Sequence, residues 1–331
     1  MARSKSNSLD LRLQRLAELA NAPDSESLRV ELRQLLKDAS NLIVAKAAEI
    51  IGEKELSDFT NDLLAAWKPF IDDPERDRGC VAKTAILDAL ARLGFDDPDF
   101  CLIGMKYEQH DPGYPSSDSG VNVRGGCAAI LARSWRIGMN DKLIAMTELL
   151  ADAERSARVH AVNALADVGH ESVVPLLRVK VQCGDREPEV TGACFSALLR
   201  LAADGSVPFV ARFLNSSNEK VAFEAAAALG ESGHPEAARR LIAAWKQADS
   251  REDQETLLVT LGLSRHASAV DFLISLLNPV THNSEPALRA LAPSRFYPDI
   301  RDRVEAAVKA TVNKRLQAIF GELFGKNPSG R

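Results

Sequence analysis

Apolar residues return along most of this chain at intervals of three and four, the separation that stacks side chains on one face of a helix. The stretches ARVHAVNALADVG (157–169), VAFEAAAALGESG (221–233) and AKTAILDALARLG (82–94) align without a gap. Extending the alignment gives eight units that start at Ile43, Ala82, Val123, Ala157, Val190, Val221, Asp253 and Asn283, spaced by 39, 41, 34, 33, 31, 32 and 30 residues. Four residues after each start stand Ala47, Ile86, Cys127, Ala161, Cys194, Ala225, Leu257 and Ala287. Eight residues after stand Ile51, Leu90, Leu131, Leu165, Leu198, Leu229, Leu261 and Leu291. Each unit therefore opens with a helix whose buried face is set by these sixteen positions.

A second amphipathic stretch follows in each unit. In five units it is marked by an apolar pair twenty and twenty-one residues after the start, Leu63 and Leu64, Leu102 and Ile103, Leu143 and Ile144, Leu241 and Ile242, Leu273 and Ile274, and the other three keep the face less strictly with Leu177, Val210 and Val304. Gly94, Gly169, Gly205 and Gly233 lie near the predicted end of a first helix, where a left-handed residue stops it, and HPE or DDP opens the second. DAERS, SSNEK and SRED supply caps and first-turn acids before first helices. A lone hairpin of this kind cannot bury its apolar face, so the units are expected to stack. The predicted fold is all-α: an α-solenoid of about eight helical hairpins with helical caps. Residues 1–42 form an N-terminal cap, 43–310 the array, and 311–331 the end of a last helix and a flexible tail.

The pattern VAFEAAAALGESGHPEA at 221–237 resembles the bacterial HEAT repeat, the type also found in phycobilisome lyase subunits. The resemblance covers roughly residues 43–310 and implies a solenoid whose partners are set by its surface. It brings no chemistry of its own, because the motif is a folding motif.

Composition changes little in this picture. The 331 residues are 46% apolar and 26% charged, as in an ordinary folded protein, and only 5% aromatic, which favours helices over sheets. With 41 basic and 46 acidic residues the net charge is −5, so a nucleic-acid-coating role has no support. Residues 295–331 hold eight basic residues against four acidic ones, an excess that a solvated helix face explains. The opening MARSKSNSLDLRL has no apolar core of a signal peptide, and no run of about eighteen apolar residues occurs. A soluble, cytoplasmic protein is expected, without a membrane partner. Cys80, Cys101, Cys127, Cys183 and Cys194 form no CxxC pair and read as buried thiols of a reducing compartment.

Catalytic signatures are missing: HExxH, GxSxG and GxGxxG do not occur, and GELFGK at 321–326 falls one residue short of a phosphate loop. Deoxyhypusine hydroxylases are HEAT-repeat enzymes whose His–Glu pairs resemble a di-iron cage. This chain has one such pair, His170 and Glu171, while His234 is followed by Pro235, so no metal and no cofactor are expected.

The candidate binding residues fall into three groups. Lys83, Arg124 and Arg158 each follow a unit start by one residue, and stacking would align them into a basic ladder that an acidic partner could read. The alternative is that each pairs with an acid on a neighbouring unit. AAWK occurs at 65–68 and 243–246, which makes Trp67 and Trp245 candidate anchors, or core residues, of second helices. The third group lies in KYEQHDPGYPSSDSGVNVRGG (106–126), where the long spacing from Ala82 to Val123 implies about nine inserted residues. Pro112, Gly113, Pro115 and Gly120 prevent regular helix there. Tyr107, His110 and Tyr114 would then stand on an edge loop, either as recognition groups or packed on adjacent helices. KPFIDDPERDRG suggests a second excursion on the same edge. The expected function is a non-catalytic scaffold or adaptor that binds a protein through its concave second-helix surface and the 107–121 loop. The alternative is a lyase-like enzyme, or enzyme subunit, acting on a modified protein.

Overall fold

The computed structural model describes residues 2–111 and 118–325, with side chains from Leu9 onward. Nineteen α-helices and no strand are present among the described residues, and the fold is an all-α solenoid of helical hairpins. By compactness the chain divides into two units, Met1–Val168 and Gly169–Arg331.

The first unit begins with α1 (Ala2–Asn21) and α2 (Glu26–Leu35). It continues with the hairpins α3 (Asn41–Glu53) and α4 (Thr60–Asp72), α5 (Val81–Arg92) and α6 (Pro98–Gly104), and α7 (Val121–Arg133) and α8 (Met139–Leu149). It closes with α9 (Arg155–Val168). First helices lie side by side, α3 on α5, α5 on α7 and α7 on α9. Each second helix leans on the next first helix: α4 on α5, α6 on α7 and α8 on α9.

The second unit follows the same plan. It holds α10 (Val173–Cys183), α11 (Pro188–Leu201), α12 (Ala203–Ala211), α13 (Glu219–Glu231), α14 (Pro235–Gln247) and α15 (Arg251–Ser264). α16 (Ala267–Ser275), α17 (Ser284–Leu291), α18 (Pro298–Ala310) and α19 (Lys314–Phe324) complete it. Here α11, α13, α15 and α17 form the row of first helices.

All sixteen repeat-defining side chains are buried. The close approach of first helices depends on a further position, nine residues after the unit start, that carries Gly52, Gly230 and Gly262. A Cβ on Gly230 would stand 2.4 Å from the Thr260 carbonyl oxygen, on Gly262 2.1 Å from that of Ala290, and on Gly52 3.0 Å from Cα of Ala89. The backbone of each next helix rests where a side chain would be.

Gly94, Gly169 and Gly233 stop their helices with φ of 72°, 69° and 62°. Gly205 does not do so. α11 already ends at Leu201, the extended Ala202 breaks the chain direction, and Gly205 lies inside α12. Asn218 and Ser250 cap α13 and α15 through their side chains. His234 and His266 cap α14 and α16, each ring accepting a backbone N–H, and His170 accepts from Ser172 N in the corresponding turn.

No helix of the described residues is long and apolar enough to cross a membrane. Of the five cysteines four are buried, whereas Cys183, expected inside, is exposed at the end of α10. The tail expected at the C-terminus, from residue 326, lies outside the described residues.

Candidate functional site

The three cations, read as an accessible ladder or as paired with acids of neighbouring units, lie inside the fold. Lys83 is 0% exposed, Arg124 3% and Arg158 4%. Their partners are the chain's own groups. Lys83 Nζ lies 3.2 Å from Asp77 Oδ2 and donates to the Phe70 carbonyl at 3.2 Å. Arg124 pairs with Asp118, lies 3.0 Å from Asp152 Oδ2 and donates to the Tyr107 carbonyl at 2.8 Å. Arg158 donates to the carbonyls of Asp152 and Ala153. A buried cation needs a partner, and the repeat provides one six residues earlier, at Asp77, Asp118 and Asp152.

The same sites hold the turns that lead into first helices. Asp38, Asp118, Asp152 and Asp185 each accept the N–H two residues on, at 2.7–2.9 Å, and Ser216 does so at 3.2 Å. Asp77 instead accepts from Ala82 N and Lys83 N, both at 3.0 Å, and so caps α5. The recurrence of aspartate five residues before a unit start, ahead of lysine or arginine one residue after it, is the sequence signal for this arrangement. Reading the cations without their aspartates missed it.

The inserted loop is tied down at its base. Gln109 Nε2 donates to the Asp77 carbonyl and to Asp111 Oδ1, both at 2.9 Å. Gly79 N donates to Asp111 Oδ2 at 2.8 Å, and Ser119 Oγ donates to the same oxygen at 2.6 Å. Residues 77–79 and the described loop residues Gln109, Asp111 and Ser119 are therefore joined in the first unit. Burial alone would raise the Asp118 carboxyl. Hydrogen bonds from Gln109 N, Arg124 and Gly120 N outweigh it and hold the group below its ordinary value. Tyr107 is half-buried, donates to Gln109 Oε1 at 2.7 Å and carries Lys83 Nζ 5.7 Å from its ring centre. Burial, with nearby Cys80 and Asp77, pushes its hydroxyl pKa up. His110 is exposed. Tyr114 lies outside the described residues.

Both tryptophans, read as anchors or as core residues of second helices, pack within the chain. Trp67 is buried with its ring centre 5.4 Å from that of Phe100, and half-buried Trp245 meets Phe272 at 5.2 Å. Each joins consecutive second helices, so their energy goes into stacking.

Apolar side chains are exposed beside a groove on α6 and α8. In the apolar pairs of the second helices, Leu63, Leu241 and Leu273 are buried, and Leu64, Ile242 and Ile274 are half-buried. Ile103 is 76% exposed and Ile144 57%. A groove of about 340 Å³ lies between α6 and α8, lined by Leu102, Met105, Ile144 and Leu149 with Lys106 and Glu148 at its rim. Asp97 caps α6 by accepting from Phe100 N at 3.1 Å, and the helix runs out through Met105 and Lys106 into Tyr107 and the loop base. At the other end, before α8, Trp135 is 84% exposed, its N–H held 3.4 Å from Asp96 Oδ2. Trp135 stands in the turn between α7 and α8, and the flanking Ser134, Arg136 and Gly138 were the available sequence signal.

A second cavity, about 300 Å³ between α2 and α4, has its charges engaged locally: Arg33 with Asp58 and Asp62, Asp38 with Arg12, and Arg76 over the Phe70 ring. Burial pushes the Cys101 and Cys194 thiols up to about 12, which removes them as nucleophiles at neutral pH. Among the described residues no three His, Cys, Asp or Glu side chains group as metal ligands would.

Residues 179–258 match the family model of HEAT repeats. No curated protein sequence matches the chain. Among solved structures, the complex of CpcE and CpcF of phycocyanin lyase from Nostoc sp. is 16% identical, over 88% of this chain and 97% of that one, with a TM-score of 0.36. Human deoxyhypusine hydroxylase is 21% identical over 77% and 90%, with a TM-score of 0.31. Kap121p bound to Nup53p is 15% identical over 94% of this chain and 39% of that one, with a TM-score of 0.46. At these levels no residue of this chain acquires a role from them.

Proposed function

We propose that this HEAT-repeat chain is a non-catalytic scaffold that binds a protein partner on the α6–α8 face of its first unit, beside the 107–120 loop. The observation that carries the reading is an apolar groove walled by Leu102, Met105 and the exposed Ile144, on a face where Ile103 is exposed as well, at a register where the pairs of α4, α14 and α16 are buried or half-buried. Exposed apolar side chains gathered around a groove are the usual mark of a surface that meets another protein. The pinned base of the loop supports the same reading. Gln109 and Asp111 on either side of exposed His110 are held by hydrogen bonds, so the ordering cost of that segment is already met in the fold.

A photo-crosslinking amino acid at Ile144, compared with the same group at exposed Val259 of α15, tests this proposal in cells producing the protein. A discrete protein adduct is expected from position 144, reduced by Ile103→Asp, and no matching adduct from 259. Equal adducts from both positions, or none from 144, would refute it.

A further inference from the structure

Two arginines of the second unit meet at one aromatic ring. Arg178 of α10, and Arg212 just after α12, each place the guanidinium carbon 4.9 Å from the centre of the Phe209 ring of α12. Among the described residues Phe209 is the one ring that two cations share. Arg178 stands twenty-one residues after the unit start at Ala157, the register that holds Leu64, Ile103, Ile144, Ile242 and Ile274 in other second helices. A cation has replaced the apolar residue of the repeat there. Its Nη2 donates to the Gly205 carbonyl at 2.6 Å, and its Nε is closed off from solvent without a partner.

Neither guanidinium has a carboxylate. Arg33 and Lys83, which also lie on rings, are paired with Asp58 and Asp62 and with Asp77. Arg178 and Arg212 make no ion pair among the described residues. α10 and the 212–215 turn carry no acid, and Asp204, the one acid of α12, is held by the His234 ring at 3.1 Å. Asp185, beyond the end of α10, is taken by Lys180 at 2.8 Å. Arg76 and Arg295 lie on rings without an acid, but each is alone on its ring. Two like charges drawn to one ring repel each other, and a ring face attracts each of them without cancelling that repulsion.

We propose that Arg178 and Arg212 bind a phosphomonoester group, carried either by a phosphorylated segment of a partner protein or by a small phosphate ester. Such a group bears about −1.5 to −2 charges at neutral pH, which two guanidiniums offset, and its oxygens accept from their planar forks. Phe209 and the Gly205 carbonyl set the arginines before the anion arrives, so little ordering remains to be done on binding. Arg178 is half-buried and Arg212 exposed, which leaves the pair within reach of solvent. A nucleic-acid strand is disfavoured, because its affinity comes from many clustered cations and this chain has a net charge of −5. The site belongs to the second unit and goes beyond the α6–α8 reading.

The full chain is titrated by fluorescence anisotropy with fluorescein-labelled heptapeptide pools that carry phosphoserine or phosphotyrosine at the centre, and with the same pools unmodified. Phenyl phosphate is added as competitor. The phosphorylated pools are expected to bind at least tenfold tighter than the unmodified ones, or phenyl phosphate to bind in their place. Arg212→Gln, an exposed change, and Arg178→Gln should each weaken that binding at least tenfold, whereas Arg251→Gln on α15 should leave it unchanged. Competition by phenyl phosphate as strong as that by unlabelled phosphopeptide supports the site with a small ester as its ligand, and weaker competition supports it with a protein segment. No binding of any phosphorylated probe up to about 1 mM, binding of the pools without regard to phosphorylation, or binding unchanged by Arg212→Gln overturns the proposal. Tighter binding of an oligothymidine strand than of every phosphorylated probe overturns it as well. The crosslink at Ile144 reads the first unit, so either reading can fail alone.

Discussion

Arg124 shows how the interior of this repeat depends on charge. It holds Asp118 of its own turn and reaches Asp152 of the next, with all three side chains largely out of solvent. Removing the cation leaves carboxylates without a counter-charge, so Arg124→Met is expected to cost about 3–5 kcal/mol in urea denaturation. A loss well under about 1 kcal/mol would show that the pair is not what holds the turn. Arg251, exposed and paired with Glu255 along one helix, is the control: its replacement by methionine should leave the denaturation midpoint nearly unchanged. Lysine or arginine after the unit start was visible in the sequence, and so was the aspartate six residues earlier. Their burial was not. An amphipathic pattern says which face a residue is on, but the groups that close over Lys83 and Arg124, namely Asp77, Tyr107 and Asp118, stand outside the helices that carry them.

Between elements, stability is set by how closely first helices approach. Gly230→Ala would drive a Cβ into the Thr260 carbonyl of the next helix, and about 1–3 kcal/mol of destabilisation is expected as α13 and α15 separate. Gly205→Ala should do the opposite. Gly205 lies in the first turn of α12 at an ordinary helical position, and an added Cβ would meet only the Arg178 guanidinium at 3.8 Å, an ordinary contact. A gain of about 0.5–1 kcal/mol follows from the lower chain entropy of alanine when unfolded. Thermal midpoints of the two variants moving in the same direction would contradict this account of the interface. The hairpins themselves were legible, because a period of three and four residues needs only the sequence. The register that puts Gly52, Gly230 and Gly262 under a neighbouring backbone was legible as a recurring small residue beside the repeat leucine. Its reason required the neighbouring helix.

Across the molecule, each compact unit has its own row of buried first-helix residues and its own response to acid. His160 of α9 faces Gly125 of α7, with Arg124 of α7 and Asp88 of α5 around it, and burial followed by the Arg124 charge lowers its pKa below the ordinary 6.5. The unfolded chain takes up a proton near 6.5 that the fold resists, so this group removes stability as pH falls below 6.5. Asp111 and Asp118 are lowered below 3.8 by hydrogen bonds that outweigh burial. Their contribution is complete above that value and is lost as pH falls through the lowered one. Asp88 and Glu224, raised by burial, act in the opposite sense. Subtracting the melting curve of His160→Asn from that of the wild type isolates the first effect. The difference should be flat above pH 6.5 and should grow in favour of the variant below it. A difference flat throughout would remove His160 from the acid response.

The sequence by itself determined the helices, their pairing into hairpins and the sixteen side chains of the core, because periodicity and burial are both written along one strand of chain. It also marked the 106–126 stretch as an interruption. Only the tertiary structure decided which surface remained for a partner. Lys83, Arg124, Arg158 and Trp67 are drawn inside by partners outside their own helices, while Ile103, Ile144 and Trp135 are left exposed. Exposure depends on what the rest of the chain covers, and that is settled when the hairpins pack.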